Sequence, residues 1–430
     1  MVIYTVRPGD SVYGIARRYG VSAEDVIGNN RLENPASLVV GQTLVLPAES
    51  VAHTVRPGES IYGIARLYGV TQEELLGANP SVTDPARIQA GQSLVIPVTL
   101  PRLGSAEVNG YAFANIPDRT LGWTLPFLTY LTLFSYEARA DGSLSSLDDA
   151  RAVEAARAQG TAAMMAVTNL RPEGGFSSDI AHAILSDEAV QDRLLDNIVG
   201  ALGGGQKYYG LNIDFEYIRP EDREAYNNFL RKTVERLHPL GYWVATSLAP
   251  KISADQPGLL YEAHDYPVHG ELADRVILMT YEWGYTYGPP MAVAPLNRVR
   301  QVLEYAVTAI PPEKILMGIP NYGYDWTLPF VQGSSARPVS NVGAVALAER
   351  VGAQIQYDEE AQAPYFHYYD SQGRRHEVWF EDARSIRAKL ELAHSFGLAG
   401  VSYWTVNAFF PQNWLVVDGT FDVVKRPAQA

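Results

Sequence analysis

The chain contains no cysteine. Disulfides, thiolate metal sites and cysteine nucleophiles are excluded together, while the compartment stays open. A dense Lys/Arg run is also missing, and 34 basic residues against 48 acidic ones leave a net charge of −14. Neither a nucleic acid nor an anionic membrane surface is expected as a partner, because both reward a basic patch. No apolar stretch approaches the ~18–20 residues that span a bilayer, and the longest, Leu125–Phe134, is broken by Thr and Tyr. The opening MVIYTVRPGDS lacks a basic segment followed by an apolar one. We therefore expect a soluble chain with no conventional signal peptide and no membrane insertion. His182, His264, His269, His367 and His376 fall in no metal-site motif and read as surface or packing residues. No metal and no cofactor is expected.

What is present is ordinary for a folded protein. Hydrophobic residues make up 47% and charged ones 19%, which excludes a mainly disordered chain, and 430 residues suffice for two or three domains. The 26 Tyr and 7 Trp suit stacking on sugar rings, but aromatics serve cores equally well and alone decide nothing.

The first hundred residues repeat themselves. TVRPGDSVYGIARRYGVSAEDVIGNN from Thr5 is answered by TVRPGESIYGIARLYGVTQEELLGAN from Thr54, and NPASLVVGQTLVLP ending at Pro47 by DPARIQAGQSLVIP ending at Pro97. Self-similarity this strong marks a duplicated unit. Each copy reads as strand–helix–helix–strand. In the first, Ile3–Val6 is a strand, Pro8-Gly9 a turn, and Asp10 or Ser11 caps a helix presenting Val12, Ile15 and Ala16. Gly20 ends that helix, Ser22 caps a second, and Gln42–Leu46 returns as a strand. Units this small usually attach rather than catalyse. We expect modules over 2–48 and 51–98, tethered as anchors and separable from whatever follows.

From about Leu103 strands alternate with helices. Candidate strands are 108–114, 130–136, 161–168, 210–217, 243–249, 275–281, 314–319 and 398–404, with helices at 148–159, 187–199, 221–237, 299–309 and 383–395. Eight such strands predict an α/β fold, a (β/α)₈ TIM barrel over 104–428. An insertion precedes the last strand at about 325–381, with a β-hairpin in YFHYYDSQGRRHEVWF. The alternative, an open doubly wound sheet, lacks a Gly-rich phosphate loop.

The fourth strand, YYGLNIDFEYI, carries the strongest chemical signal. Alternation puts Leu211, Ile213 and Phe215 on one face and Asn212, Asp214 and Glu216 on the other. A solvated polar face is the bland reading, but both faces of a parallel strand in a closed barrel are covered. Two crowded carboxyls there raise the pKa of at least one. A carboxylic acid kept protonated near neutral pH is what glycosidic cleavage needs, and strand C-terminal ends are where barrel enzymes work.

NIDFE resembles the DxxDxDxE strand of glycoside hydrolase family 18, which cleaves β-1,4 bonds beside N-acetylglucosamine. LMTYEW (278–283), MGIPNYGYDW (317–326) and GVSYW (400–404) resemble that family's sixth to eighth strands. The repeats resemble LysM modules, which bind N-acetylglucosamine-containing glycans such as peptidoglycan and chitin. VWFEDARS (378–385) and PEDREAYNNFLR (220–231) are similar to the spore-cortex-fragment-lytic N-acetylglucosaminidases of endospore-forming bacteria. Tyr209 and Asn212 stand where the family motif has Asp, and Glu282 where it has Asp or Asn after the tyrosine.

The resemblance implies substrate-assisted retention, with Glu216 as acid and then base, Asp214 stabilising an oxazolinium and Tyr281 bonding the acetamide. It implies Asn212, Met279 and Glu282 as substrate contacts and Trp404 as the floor beneath the cleaved sugar, against a barrel-core aromatic; Tyr111 and Tyr322, near C-terminal strand ends, read either as sugar contacts or as core. In the modules it points to Pro8, Gly9, Asp10 and Ser11, and to Pro57, Gly58, Glu59 and Ser60. The expected partner is peptidoglycan or chitin-type glycan, bound by a monomer. The expected place is the coat/cortex boundary of a spore, after synthesis in the mother-cell cytoplasm. A chitinase and a non-catalytic glycan binder are the competing readings.

Overall fold

The computed structural model describes residues 1–98, 100–203 and 207–426; the expected barrel end at 428 lies outside them. In the first repeat, strand Val2–Thr5 pairs antiparallel with Thr43–Leu46 around helices Val12–Tyr19 and Ala23–Asn30. Ser11, not Asp10, caps the first helix, accepting from Gly14 N at 3.1 Å, while Asp10 accepts from Tyr4 OH and Arg7 N to clasp the turn. Buried Asn30 then ties helix to strand, donating to the Val26 and Val45 carbonyls and accepting from Val45 N. The second repeat copies this with strands Ser50–Thr54 and Ser93–Pro97, cap Ser60 and clip Asn79. A single core joins the two, with the Tyr19 and Tyr68 rings edge to face at 5.8 Å.

The remaining chain forms eight parallel barrel strands: β1 (Ser105–Phe113), β2 (Tyr130–Glu137), β3 (Ala162–Thr168), β4 (Gly210–Asp214), β5 (Trp243–Leu248), β6 (Arg275–Leu278), β7 (Ile315–Pro320) and β8 (Gly400–Trp404). Pairing of β8 with β1, Gly400 opposite Glu107, closes the sheet and excludes the open doubly wound alternative. Leu211, Ile213 and Phe215 pack into the layer beneath the outer helices, as their alternation predicts. Both β4 and β6 stop three residues early, at Asp214 and Leu278, so the residues that follow them belong to loops.

Between β7 and β8 lies more than a hairpin. Strands Ala363–Tyr369 and Arg375–Trp379 do pair around Gly373, but they belong to a five-stranded antiparallel sheet backed by helix Asn341–Val351. Phe366, Val378, Phe380 and Leu347 give it a core of its own.

Against the expectation of tethered anchors, the first repeat is docked. Val39 is buried in the insertion core and Val45 in the barrel core. Val40 O accepts from Ile355 N at 2.9 Å, Gly41 O from Arg384, and Thr43 Oγ1 from Ala383 N. Gly41, at φ 90°, lies so close that a Cβ would sit 1.8 Å from Ile355 O. The matching Gln89, Ala90 and Gly91 of the second repeat are exposed.

Candidate active site

Asp214 ends β4 and is only 4% exposed, and its Oδ1 has no protein hydrogen-bond partner. Burial pushes its pKa up to about 7, against a lowering hydrogen bond from Ser247. Glu216 stands two residues on, half-buried in the loop. Burial, then the nearby charges of Asp214 and Glu282, raises its carboxyl well above the usual range. The pair therefore retains a proton at neutral pH.

The loop carrying Glu216 is clamped. Fully buried Asn169, just after β3, accepts from Glu216 N at 3.0 Å and donates to Glu216 O at 2.8 Å. His264 accepts from Ala249 N through Nδ1 and donates from Nε2 to Phe215 O at 3.0 Å. Those partners assign the neutral tautomer, and burial drops its pKa to about 4. His264 is thus buried, as a packing residue should be, but it packs on the loop that holds Glu216. Tyr217 follows with φ 55°, turning the chain out to the cavity mouth.

These side chains face a cavity of about 760 Å³. Asp214, Glu216, Met279, Tyr281, Glu282, Tyr111, Tyr322 and Trp404 all line it. Trp404, the last residue of β8, is braced edge-on by Tyr111 at 5.5 Å and Phe134 at 4.8 Å. Glu282, at φ 68°, accepts from Tyr322 and, at 3.1 Å, from Tyr324. Asn212 is placed differently. It lies in the layer below, 0% exposed, with Oδ1 accepting from Tyr111 OH at 2.9 Å and Nδ2 donating to Ser247 Oγ, so its reach is to Tyr111 rather than to the cavity. Tyr209 is not on the cavity wall either and packs near Tyr130 and Trp243 at the other end of the barrel. In the modules, Pro8, Gly9, Pro57 and Gly58 are exposed. Asp10, Ser11, Glu59 and Ser60 are engaged in the clasps and caps of their turns.

Several wall or support residues escaped the sequence reading, among them Ser247, Asn169, Tyr217 and Tyr285. Ser247 is an inward polar residue in the apolar β5 run, Asn169 sits at a strand end, and Tyr217 and Tyr285 are aromatics on loops. Strand-end polarity was the available signal for the first two. Among the described residues, no group of three or more His, Asp or Glu could hold a metal ion, and no helix is long and apolar enough to cross a membrane.

The model of glycosyl hydrolases family 18 matches residues 105–408, and the LysM domain model matches 4–47 and 53–97. The chain belongs to glycosyl hydrolase family 18. This family 18 glycoside hydrolase is 47% identical, over 99% of both chains, to the cortical fragment-lytic enzyme of Bacillus subtilis (strain 168). It is similar in structure to the spore cortex-lytic enzyme SleL of Bacillus megaterium QM B1551, with TM-score 0.86, 42% identity and 99% of each chain covered. A chitinase from Chromobacterium violaceum ATCC 12472 aligns with TM-score 0.67 and 27% identity, over 73% of this chain and 98% of its own. For a glycoside hydrolase, an adjacent carboxyl pair beside an aromatic platform, Asp214 buried and Glu216 half-buried, offers a proton donor and a neighbouring group able to balance positive charge.

Proposed function

We propose that the chain hydrolyses β-1,4 bonds at N-acetylglucosamine in peptidoglycan, specifically spore cortex or its fragments, with retention and with the substrate's acetamido group as nucleophile. The observation carrying this reading is the adjacency of Asp214 and Glu216 at one strand end, both with raised pKa values, in a cavity walled by Tyr281 and Trp404. Neither carboxyl has to reach across the sugar. Glu216 protonates the leaving oxygen; the acetamido carbonyl attacks the anomeric carbon; Asp214 balances the oxazolinium and Tyr281 hydrogen-bonds it; Glu216 then deprotonates the incoming water.

The cortex assignment draws on the names of the full-length relatives, cortical fragment-lytic and spore cortex-lytic. Those names also support a chain that works at the spore; its place at the coat/cortex boundary and its action as a monomer are part of the proposal. The LysM domains supply glycan affinity outside the barrel. Similarity to a chitinase favours a second reading, cleavage of undecorated N-acetylglucosamine polymer by the same residues. Mass spectrometry of products from purified cortex and from chitin oligomers decides between them, since it reports the bond cut and the sugar at the new end. Glu216→Gln should lose about 10²–10⁴-fold in kcat or more, because one residue serves both steps. Activity within a few-fold of the parent would remove Glu216 from this role.

A further inference from the structure

Docking of the first LysM repeat creates a second cleft, of about 770 Å³, between that repeat and the barrel. Arg31 from the repeat caps helix Ala23–Asn30 in the left-handed region, φ 49°, where a non-glycine residue is strained. Its guanidinium lies 3.1 Å from the ring centre of Trp123 and 4.5 Å from that of Phe409. Arg119, from the barrel helix Asp118–Thr124, lies 4.3 Å from the same indole. Two like charges thus share one aromatic platform, and neither forms an ion pair among the described residues. Burial and, after it, Arg119's charge lower the pKa of Arg31. The cleft's carboxylates do not answer them. Asp382 pairs with Arg384, Glu381 with Lys389, Glu349 accepts from Asn34, and exposed Glu33 reaches neither arginine within ion-pair distance. In a chain of net charge −14, convergence of unpaired cations is a local conflict that a bound anion would relieve.

The chain runs directly from the wall of the catalytic cavity to that of the cleft. Trp404 lines the cavity and Phe409, five residues on, lines the cleft. Asn321 pins the link by donating to Thr405 O and Ala408 O, and its neighbour Tyr322 is on the catalytic wall. A guanidinium held over an aromatic face by cation–π attraction, with no ion-pair partner, has its donor fork available, and that fork matches a carboxylate.

We propose that this composite cleft is a carboxylate-binding subsite for an acidic glycan strand, built jointly by the first LysM repeat and the barrel. It rests on the peptidoglycan reading above. The carboxylate is either a lactyl group on the sugar or a free acid of an attached peptide. The second repeat, with Pro80 at the position of Arg31, builds no counterpart.

The test uses full-length Glu216→Gln protein and calorimetric binding at low and physiological salt. The probes are peptide-free glycan strands carrying lactyl carboxylates, the stem peptide alone, and neutral N-acetylglucosamine oligomers. Arg31→Gln with Arg119→Gln should weaken the carboxylate-bearing probe about tenfold and flatten its salt dependence, leaving neutral oligomers unchanged. Arg31→Lys should fall between, because it keeps charge and loses the fork. Arg119→Gln, on an exposed side chain away from the docked strands, separates ligand loss from loosened docking. Arginine-dependent binding of the strand assigns the lactyl source; of the peptide alone, the peptide source; either supports the subsite. Equal affinities across the variants, or equal losses for neutral oligomers, overturn it. Parallel hydrolysis of cortex fragments by the unsubstituted enzyme keeps the two readings apart: intact hydrolysis with arginine-independent binding sinks only the subsite.

Discussion

Replacing Asp214 by Asn should stabilise the protein at neutral pH while disabling it. The carboxyl is 4% exposed, and burial lifts its pKa from 3.8 to about 7. In the unfolded chain it ionises near the lower value; in the folded protein it holds its proton to the upper one. Between those values the folded state binds more protons, so stability falls as pH rises and levels off once both states are ionised. Three units at ~1.4 kcal/mol each give an upper bound of about 4 kcal/mol, and proton sharing with Glu216 keeps the full amount below it. Asn keeps the shape and never ionises. Its advantage over the parent should therefore be near zero at pH 4 and grow to that full amount by pH 8. Thermal or urea unfolding of both proteins across pH 4–8 reads the difference directly. A gap that does not change with pH, or a parent more stable than the variant at pH 8, would refute the argument. In kinetics the same variant should lose kcat more than it raises KM, since an amide cannot balance the oxazolinium.

Asn169→Ala frees the peptide of Glu216 and should lower kcat by about tenfold or more with KM little changed, as expected for a group that positions the acid rather than touching the sugar. Initial-rate kinetics on soluble fragments check it, and a loss confined to KM would count against the clamp. Gly41→Val drives a side chain into Ile355 O and should unseat the first repeat, lowering the thermal midpoint by several degrees. Gly91→Val, with nothing within 4 Å, should cost only local strain of about 1–3 kcal/mol. Glycans with free amines in place of N-acetyl groups at the cleaved residue should not be hydrolysed, because they lack the internal nucleophile; measurable turnover on them would exclude substrate assistance.

The barrel was legible because each strand is a short apolar run between helical periods, and closure demands no special residue. Strand ends were less legible. Asp214 ends β4 and Glu216 follows in a loop, yet the alternation Asn212, Asp214, Glu216 continues past the last ladder bond, so sequence shows one strand where the fold has two environments. That break matters chemically. Residues on a closed strand are held by the barrel, whereas Glu216 needs Asn169 and His264, which lie 47 and 48 positions away in the chain. Neither could be connected to it by spacing. Asn212 shows the opposite error, since its place in a catalytic motif suggested the cavity wall, but inward residues two positions deeper on a barrel strand reach the layer below.

Docking of the first repeat was illegible for a different reason. The two copies match closely where each builds its own core and turn, at Val12 and Ile61, Ser11 and Ser60, Asn30 and Asn79, and that likeness argues for equal roles. The differences lie in the return loop, Leu-Val-Val-Gly against Ile-Gln-Ala-Gly, two apolar residues against a polar and a small one. The Val39 side chain and the Val40 carbonyl are taken up by the insertion, while Gln89 and Ala90 face solvent. An exposed apolar pair in one copy of a duplicated unit is thus a sign of a third surface. Once seated, that repeat no longer acts as a flexible tether that raises local concentration. Its orientation to the catalytic cavity is fixed, and glycan bound along its barrel-facing side is presented in one register.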